Sequence, residues 1–238
     1  GSFLLLPVLP NVRAITYCSL STVSHNRDTH QPGIFKYFIF FCHWVIHIAH
    51  EINLRRFQIP VDHLIHTPDG TEHELHVVAL GFDPAKLVMT MQIHSDIVRV
   101  VTDADCNGPC HRNYPQCDGL VTNTPGVALL IFTADCTPLL FHDPVTGAVG
   151  AAHAGWRGTA KGIGARVVEA MVRSFGSRPE DIRAAIGPNV GQCHFETDAD
   201  VPEAMVAAFG DEVKQYIEKR GEKFFLDLKA INALILRR

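Results

Sequence analysis

The chain has 238 residues, 47% of them hydrophobic, and a formal net charge of −4. That length can bury a sizeable core, as one large domain or two small ones. The balance is slightly acidic with no basic stripe, which argues against a nucleic-acid partner. Seven cysteines, an odd number, with no convincing secretory signal, fit reduced thiols in a cytoplasmic protein better than a disulfide scaffold.

In chain order, "FLLLPVLP" near the start is too short for a signal peptide and lacks its basic flank. "GIFKYFIFFCHWVIHIAH", from Gly33 to His50, is the only membrane candidate, but Lys36, His43, His47 and His50 count against insertion. A buried strand or helix is the preferred reading, with the three histidines packing rather than chelating a metal. His73 and His76 read as solvated. The first 80 residues are otherwise irregular.

From Gly81 onward the pattern is regular. "KLVMTMQIH", Lys86 to His94, alternates as a strand, with Leu87, Met89, Met91 and Ile93 on one face and His94 with Gln92 on the other. "DCNGPCHRNYPQC" carries Cys106, Cys110, His111 and Cys117; a loop with incidental thiols is preferred to a second zinc site. "VALLIFTADC" is apolar up to its end, as in a strand buried on both faces. "PLLF" and "GAVGAAHA" make two further strands around the turn "HDPVTG".

A helix is predicted over about Thr159 to Phe175, with Ile163, Val167, Ala170, Met171 and Phe175 as its apolar stripe and Gly176 at its end. "IRAAIGP" is a short strand, "ADVPEAMVAAF" and "DEVKQYIEKR" read as helices, "KFFLDL" as a strand, and the last residues begin another helix. Strands and helices alternate, so the class is α/β or α+β with a substantial mixed sheet, and residues 1–238 are expected to form one domain.

Three residues carry candidate chemistry. Cys136 closes one strand, His153 lies near the end of another, and His94 closes a third. A thiolate and two imidazoles at converging strand ends suit a three-ligand zinc shell with an open fourth position. Each also has an ordinary reading as a core residue. Cys136 and His153 would equally serve as nucleophile and base without metal. A His2Cys set also matches type-1 copper, which adds a weak axial Met. Met89 and Met91 are close in sequence but fall on the strand face opposite His94, and no H-x-H pair occurs in the chain. "HAGWRGTAKGIG" adds a glycine-rich turn before a helix N-terminus with Arg157 and Lys161, an arrangement suited to an anion. Packing alone explains such a turn as well. Asp135 could orient a ligand or simply cap the turn. Cys193 and His194 are adjacent and, on a strand, would face opposite ways.

"CDGLVTNTPGVALLIFTADCTPLLFHDPVTGAVGAAHAGWRGTAKGI" followed by "AAIGPNVGQCHFE" closely resembles the laccase-domain family, from about Phe82 to Leu236. Its members are known as multicopper polyphenol oxidases and as purine nucleoside phosphorylases. The resemblance implies an α/β sandwich of mixed sheets flanked by helices. It implies metal ligands at His94, Cys136 and His153, which match the His of Q-x-H, the Cys of A-D-C and the His of H-A-G-W. The implied enzyme is zinc-dependent, acting on adenosine, inosine and related nucleosides by phosphorolysis and, for adenosine, deamination. Its partners would be purine nucleosides and phosphate. Independently of the resemblance, the helix N-terminus with Arg157 is expected to serve as a phosphate anchor.

The chain departs from the family at both ends. An Arg-Gly-Gly element is replaced by "YCSLSTVSHNRD", the stretch Gly33 to His50 does not match, and the sequence stops before a Cys-Thr and a Ser-x-Arg element. The alternatives are therefore a catalytically impaired, metal-binding partner protein or a copper-dependent phenol oxidase.

Overall fold

In the computed structural model of the chain, the described residues are Ala14–Cys18 (backbone only), 83–108 and 115–238. The expectations for His43, His47, His50, His73, His76, Cys110 and His111, and for the apolar stretch from Gly33 to His50, lie outside them. No helix among the described residues is long and apolar enough to cross a membrane.

Two sheets are stacked, and a helix covers one of them. The central sheet has five strands in the order β3-β4-β7-β6-β8. These are β3 (Val98–Val100), β4 (Gly119–Thr122), β6 (Thr137–His142), β7 (Val149–Ala154) and β8 (Arg183–Ile186). Only β3 and β4 pair in parallel; the other pairs are antiparallel. The second sheet is parallel, in the order β1-β5-β2, from β1 (Ala14–Cys18), β2 (Leu87–Val88) and β5 (Ala128–Thr133).

The period-two rule sorts the central side chains into two cores. Leu120, Val149 and Ala151 face β5 and pack on its Leu129 and Ile131. Val121, Leu139, Phe141 and Ala152 face the other way, onto helix α2 (Ile163–Phe175). The α2 residues Ile163, Val167, Ala170 and Met171 are buried there, as their spacing predicts, and half-buried Phe175 joins them. Thus β5, β4 and β7 are apolar on both faces because each is covered on both.

A third group packs beside these layers. It contains α1 (Trp156–Ala160), α3 (Asp200–Phe209) and α4 (Leu228–Ile235). An antiparallel sheet β10-β11-β9 completes it, from β9 (Glu196–Thr197), β10 (Ile217–Arg220) and β11 (Lys223–Leu226). Buried Asn232 of α4 donates to Thr159 Oγ1 at 3.0 Å, tying α4 to α1.

The mixed-sheet sandwich flanked by helices is thus observed, with three local corrections. The strand expected over Lys86–His94 ends at Val88. There the carboxamide of Asn107 takes both the N–H and the C=O of Met89, at 3.0 and 3.1 Å, and the chain leaves the sheet. Met91 and Ile93, expected on the apolar face, are 46% and 41% exposed. The helix predicted from Thr159 starts earlier, at Trp156, and breaks at Gly162, whose φ of 76° is open to glycine but costly for other residues. The segment "DEVKQYIEKR" is not one helix. Asp211–Tyr216 forms a 3-10 turn and Ile217–Arg220 pairs with β11, because Gly221 at φ 63° closes a hairpin. Pairing overrides the modest helix propensity of that run.

Met171 is fully buried between α2 and the central sheet. Met171→Ala is expected to lower unfolding free energy by about 2–5 kcal/mol, read from the urea midpoint at unchanged m-value.

Candidate metal centre

The sandwich layers bring His94, Cys136 and His153 together at one end. Each offers a ligand atom, and these atoms all lie within 4.8 Å of one another. Cys136 sits in the short connection from β5 to β6, where the chain crosses from one sheet to the other. His153 is on the same face of β7 as Val149 and Ala151, so it points into the space between the sheets. His94 comes from the segment after β2, and its ring meets that of His153 edge-on, with centroids 4.7 Å apart. His153 is buried, Cys136 half-buried and His94 exposed, so the cluster opens to solvent on the His94 side.

The residue that organises the cluster is Asp118, which was not read from the sequence. It is fully buried. It immediately precedes β4, and the β4–β7 register puts it opposite His153 on the same face. The His153 N–H donates to the Asp118 carbonyl at 2.8 Å, and His153 Nδ1 lies 2.8 Å from Asp118 Oδ1. A proton on Nδ1 leaves Nε2 as the atom free for a metal.

The same carboxylate accepts three consecutive backbone N–H bonds, from Ile93 at 3.2 Å, His94 at 3.0 Å and Ser95 at 2.6 Å, plus the Ser95 hydroxyl at 2.6 Å. This is an anion nest built by the ligand segment itself. It requires left-handed backbone at His94 (φ 58°), the single non-glycine of that kind among the described residues. Such a conformation costs on the order of 1–3 kcal/mol, and bonds to a charged acceptor offset it.

The expectation of a strand ending at His94 is thus replaced by a carboxylate-held loop. The orienting role considered for Asp135 falls to Asp118. Asp135 is exposed, and its carbonyl accepts from Val190 at 3.0 Å.

Electrostatics follow from this packing. Burial pushes the His94 imidazole below its ordinary pKa, and the nearby His153 and Arg157 charges add to the effect. Burial also disfavours the Asp118 anion, yet hydrogen bonds from His153 and Ser95 outweigh it and hold the carboxyl well below its usual range. For His153, burial opposes the charge, but bonds to Asp118 and Cys136 prevail and raise its pKa to about 9. Without metal, the contacts to Asp118 and Cys136 thus favour the protonated form of His153.

One thiol sulfur and two imidazoles fit a three-ligand site for a divalent ion of zinc type. The surroundings fit as well. A Cβ on Gly155 would stand 2.7 Å from His94 Nδ1 and 3.1 Å from Cys136 Sγ, so only glycine leaves those atoms free to meet. Neither nearby methionine supplies an axial ligand. Met89 packs with Leu87, Ala128 and Leu130, and the Met91 sulfur accepts from Gln116 at 3.9 Å.

The remaining candidates lie as follows. Arg157 is exposed in the first turn of α1, its guanidinium 4.2 Å over the Trp156 ring. Lys161 caps the end of that five-residue helix. Cys117 is fully buried in the apolar cluster, where burial pushes its thiol up to about 11, and Cys106 packs partly against the same cluster. With Cys136 and Cys193, they are free thiols. Cys193 and His194 do not face opposite ways. They lie on a turn, not a strand, and the thiol sulfur is 2.9 Å from the imidazole Nδ1.

Because an ion must displace the proton of the Cys136 thiol as well as that of His153, Zn2+ affinity measured by chelator competition should rise at least tenfold per pH unit below about 9, and the His153 share of that rise should level off above it. The sign is opposite for the stability of the metal-free chain. The raised His153 pKa contributes fully below about 6.5 and is lost as pH rises through about 9. In Asp118→Asn the levelling point should move to lower pH. Gly155→Ala, whose backbone at φ −66° suits alanine, should keep the fold yet weaken Co2+ binding by about tenfold or more, measured by titration.

The model of a family described as "Multi-copper polyphenol oxidoreductase laccase" matches residues 70–238. A purine nucleoside phosphorylase of Deinococcus radiodurans is 42% identical over 161 residues, covering 66% of this chain and 58% of that protein. The purine nucleoside phosphorylase YlmD of Bacillus subtilis is 39% identical over 153 residues, covering 63% of this chain and 55% of its own. The chain thus spans little more than half the length of these curated relatives. The crystal structure of YlmD from Geobacillus stearothermophilus superposes with a TM-score of 0.66 at 35% identity, over 70% of this chain and 63% of that one. With a family model matched over most of its length, the chain belongs to the multi-copper polyphenol oxidoreductase laccase family.

Proposed function

We propose that the chain is a zinc-dependent purine nucleoside phosphorylase that also deaminates adenosine. The observation that carries this reading is the convergence of His94, Cys136 and His153 beside solvent, in a chain whose relatives are named purine nucleoside phosphorylases. These three residues would hold the zinc, which would supply Lewis acidity to the bound nucleoside or water.

The protein's own groups do the rest. Asp118 keeps a proton on His153 Nδ1 and fixes the ring. Exposed His94 presents the ligand set to a purine nucleoside entering from solvent. Arg157 anchors phosphate, one oxygen of which attacks the ribose C1′ as the C1′–N9 bond breaks and the purine leaves. The stacking of its guanidinium on Trp156 supports that role, since it fixes the group without consuming its N–H donors.

Copper is the metal suggested by the family's description. The donor set favours zinc over a copper cluster, since His94, Cys136 and His153 form the one group of three or more such side chains among the described residues.

Elemental analysis with a single assay, inosine plus phosphate followed by hypoxanthine release, separates the readings. Zinc with release is expected. Zinc without release favours a non-catalytic, metal-bound partner protein, and copper with phenol oxidation favours an oxidase. Adenosine should yield inosine without phosphate. Arg157→Ala should raise the KM for phosphate about tenfold or more, the loss of one charged hydrogen bond; an unchanged KM rejects the anchor.

A further inference from the structure

Two of the three ligand-bearing segments are locked together by Asp118, which ties the His94 loop to β4 and so to His153. Cys136 lies at the crossing from β5 to β6, set beside His153 by the β6–β7 pairing, and the His94 loop has still to be placed against the end of β5. A second tether reaches it. The Gln92 carboxamide donates from Nε2 to the Phe132 carbonyl at 2.7 Å and accepts the Phe132 N–H on Oε1 at 2.7 Å. Backbone pairing between β2 and β5 ends at Val88 opposite Leu129. After that point a side chain takes the place of the missing strand and pairs with β5 as a backbone residue would.

We infer that Gln92 is a positioning residue that sets His94 at its working distance from Cys136. The inference rests on the metal reading of the cluster and deepens it. Three observations carry it. Gln92 is two residues from His94, and Phe132 is four residues from Cys136, so the paired bonds join both ligand segments close to their ligands. His94 is exposed on its solvent side and meets the protein at the His153 ring and Gly155, so packing holds it only in part. A carboxamide carries a donor and an acceptor on one fork, which is what a strand residue offers its neighbour. A carboxylate lacks the donor, and an aliphatic side chain lacks both.

The division of labour is explicit. Asp118 sets the direction of the His94 backbone and the tautomer of His153, while Gln92 sets how far the His94 loop stands from the end of β5 that leads to Cys136.

The test compares the 238-residue chain with its Gln92→Leu and Gln92→Glu variants, using Co2+ as the probe after removal of bound metal by a chelator. In Gln92→Leu, Co2+ affinity is expected to fall about tenfold to a hundredfold, the usual effect of losing an outer partner of a metal ligand. The thiolate-to-cobalt absorption band should weaken with it. In the metal-free state, amide exchange at Ile93, His94 and Ser95 should quicken about tenfold or more while Leu120 and Ala151 keep wild-type rates. Gln92→Glu, which retains the acceptor, should lie between, and it carries the same readouts if Gln92→Leu does not fold.

A lowered unfolding midpoint with Co2+ affinity, absorption band and exchange at residues 93–95 all unchanged would overturn the inference, since Gln92 would then be merely structural. A wild-type chain that gives no thiolate band with Co2+ would remove the metal reading instead. Exchange at residues 93–95 would still decide whether Gln92 holds the loop, with unchanged rates rejecting it.

Discussion

Everything at the site depends on one buried carboxylate. Asp118 sits where β4 begins, shielded from water, and accepts from three successive amides, a hydroxyl and an imidazole. A buried ion pair adds little net stability, because desolvation offsets much of its attraction. What it gives here is geometry. The loop can adopt left-handed backbone at His94 only because a concentrated negative charge lies where its N–H groups point. The same charge decides which nitrogen of His153 carries hydrogen. One side chain thereby determines the directions of two ligands that are 59 positions apart in the sequence.

The layered fold makes this possible. The central sheet and the β1-β5-β2 sheet are apolar on their facing sides, so the two stack tightly and their ends fall together. Cys136 lies in the crossing between them, and His153 reaches the same end by the alternation of β7. The third neighbour is α1, which starts straight after β7. Gly155 and Gly158 let it close over the cluster, with the Ser95 carbonyl 3.1 Å from where a Gly158 Cβ would be.

Much of this was legible in the sequence. The apolar run of β5, the hairpin of β6 and β7, and the stripe of α2 all follow from periodicity, and the sequence already marks His94, Cys136 and His153, whose ligand atoms the fold brings within 4.8 Å of one another. Asp118 did not. An Asp-Gly pair beside a cysteine-rich stretch looks like an ordinary turn, and only the β4–β7 register reveals that it faces His153. His94 misled in another way. Its segment alternates as a strand does, yet carboxamides and a carboxylate draw it out of the sheet, and no local pattern encodes those distant partners. Cys193 and His194 were misjudged for the same reason, since a turn removes the opposition of neighbours that a strand imposes.

The crossing of Cys136 between layers has one more implication. An ion held by His94, Cys136 and His153 would act as a rivet through the sandwich. Occupancy and folding then become linked quantities, because whatever binds only the native arrangement shifts the unfolding equilibrium by mass action. The apparent hardiness of the molecule in any compartment would track how much free divalent metal that compartment holds.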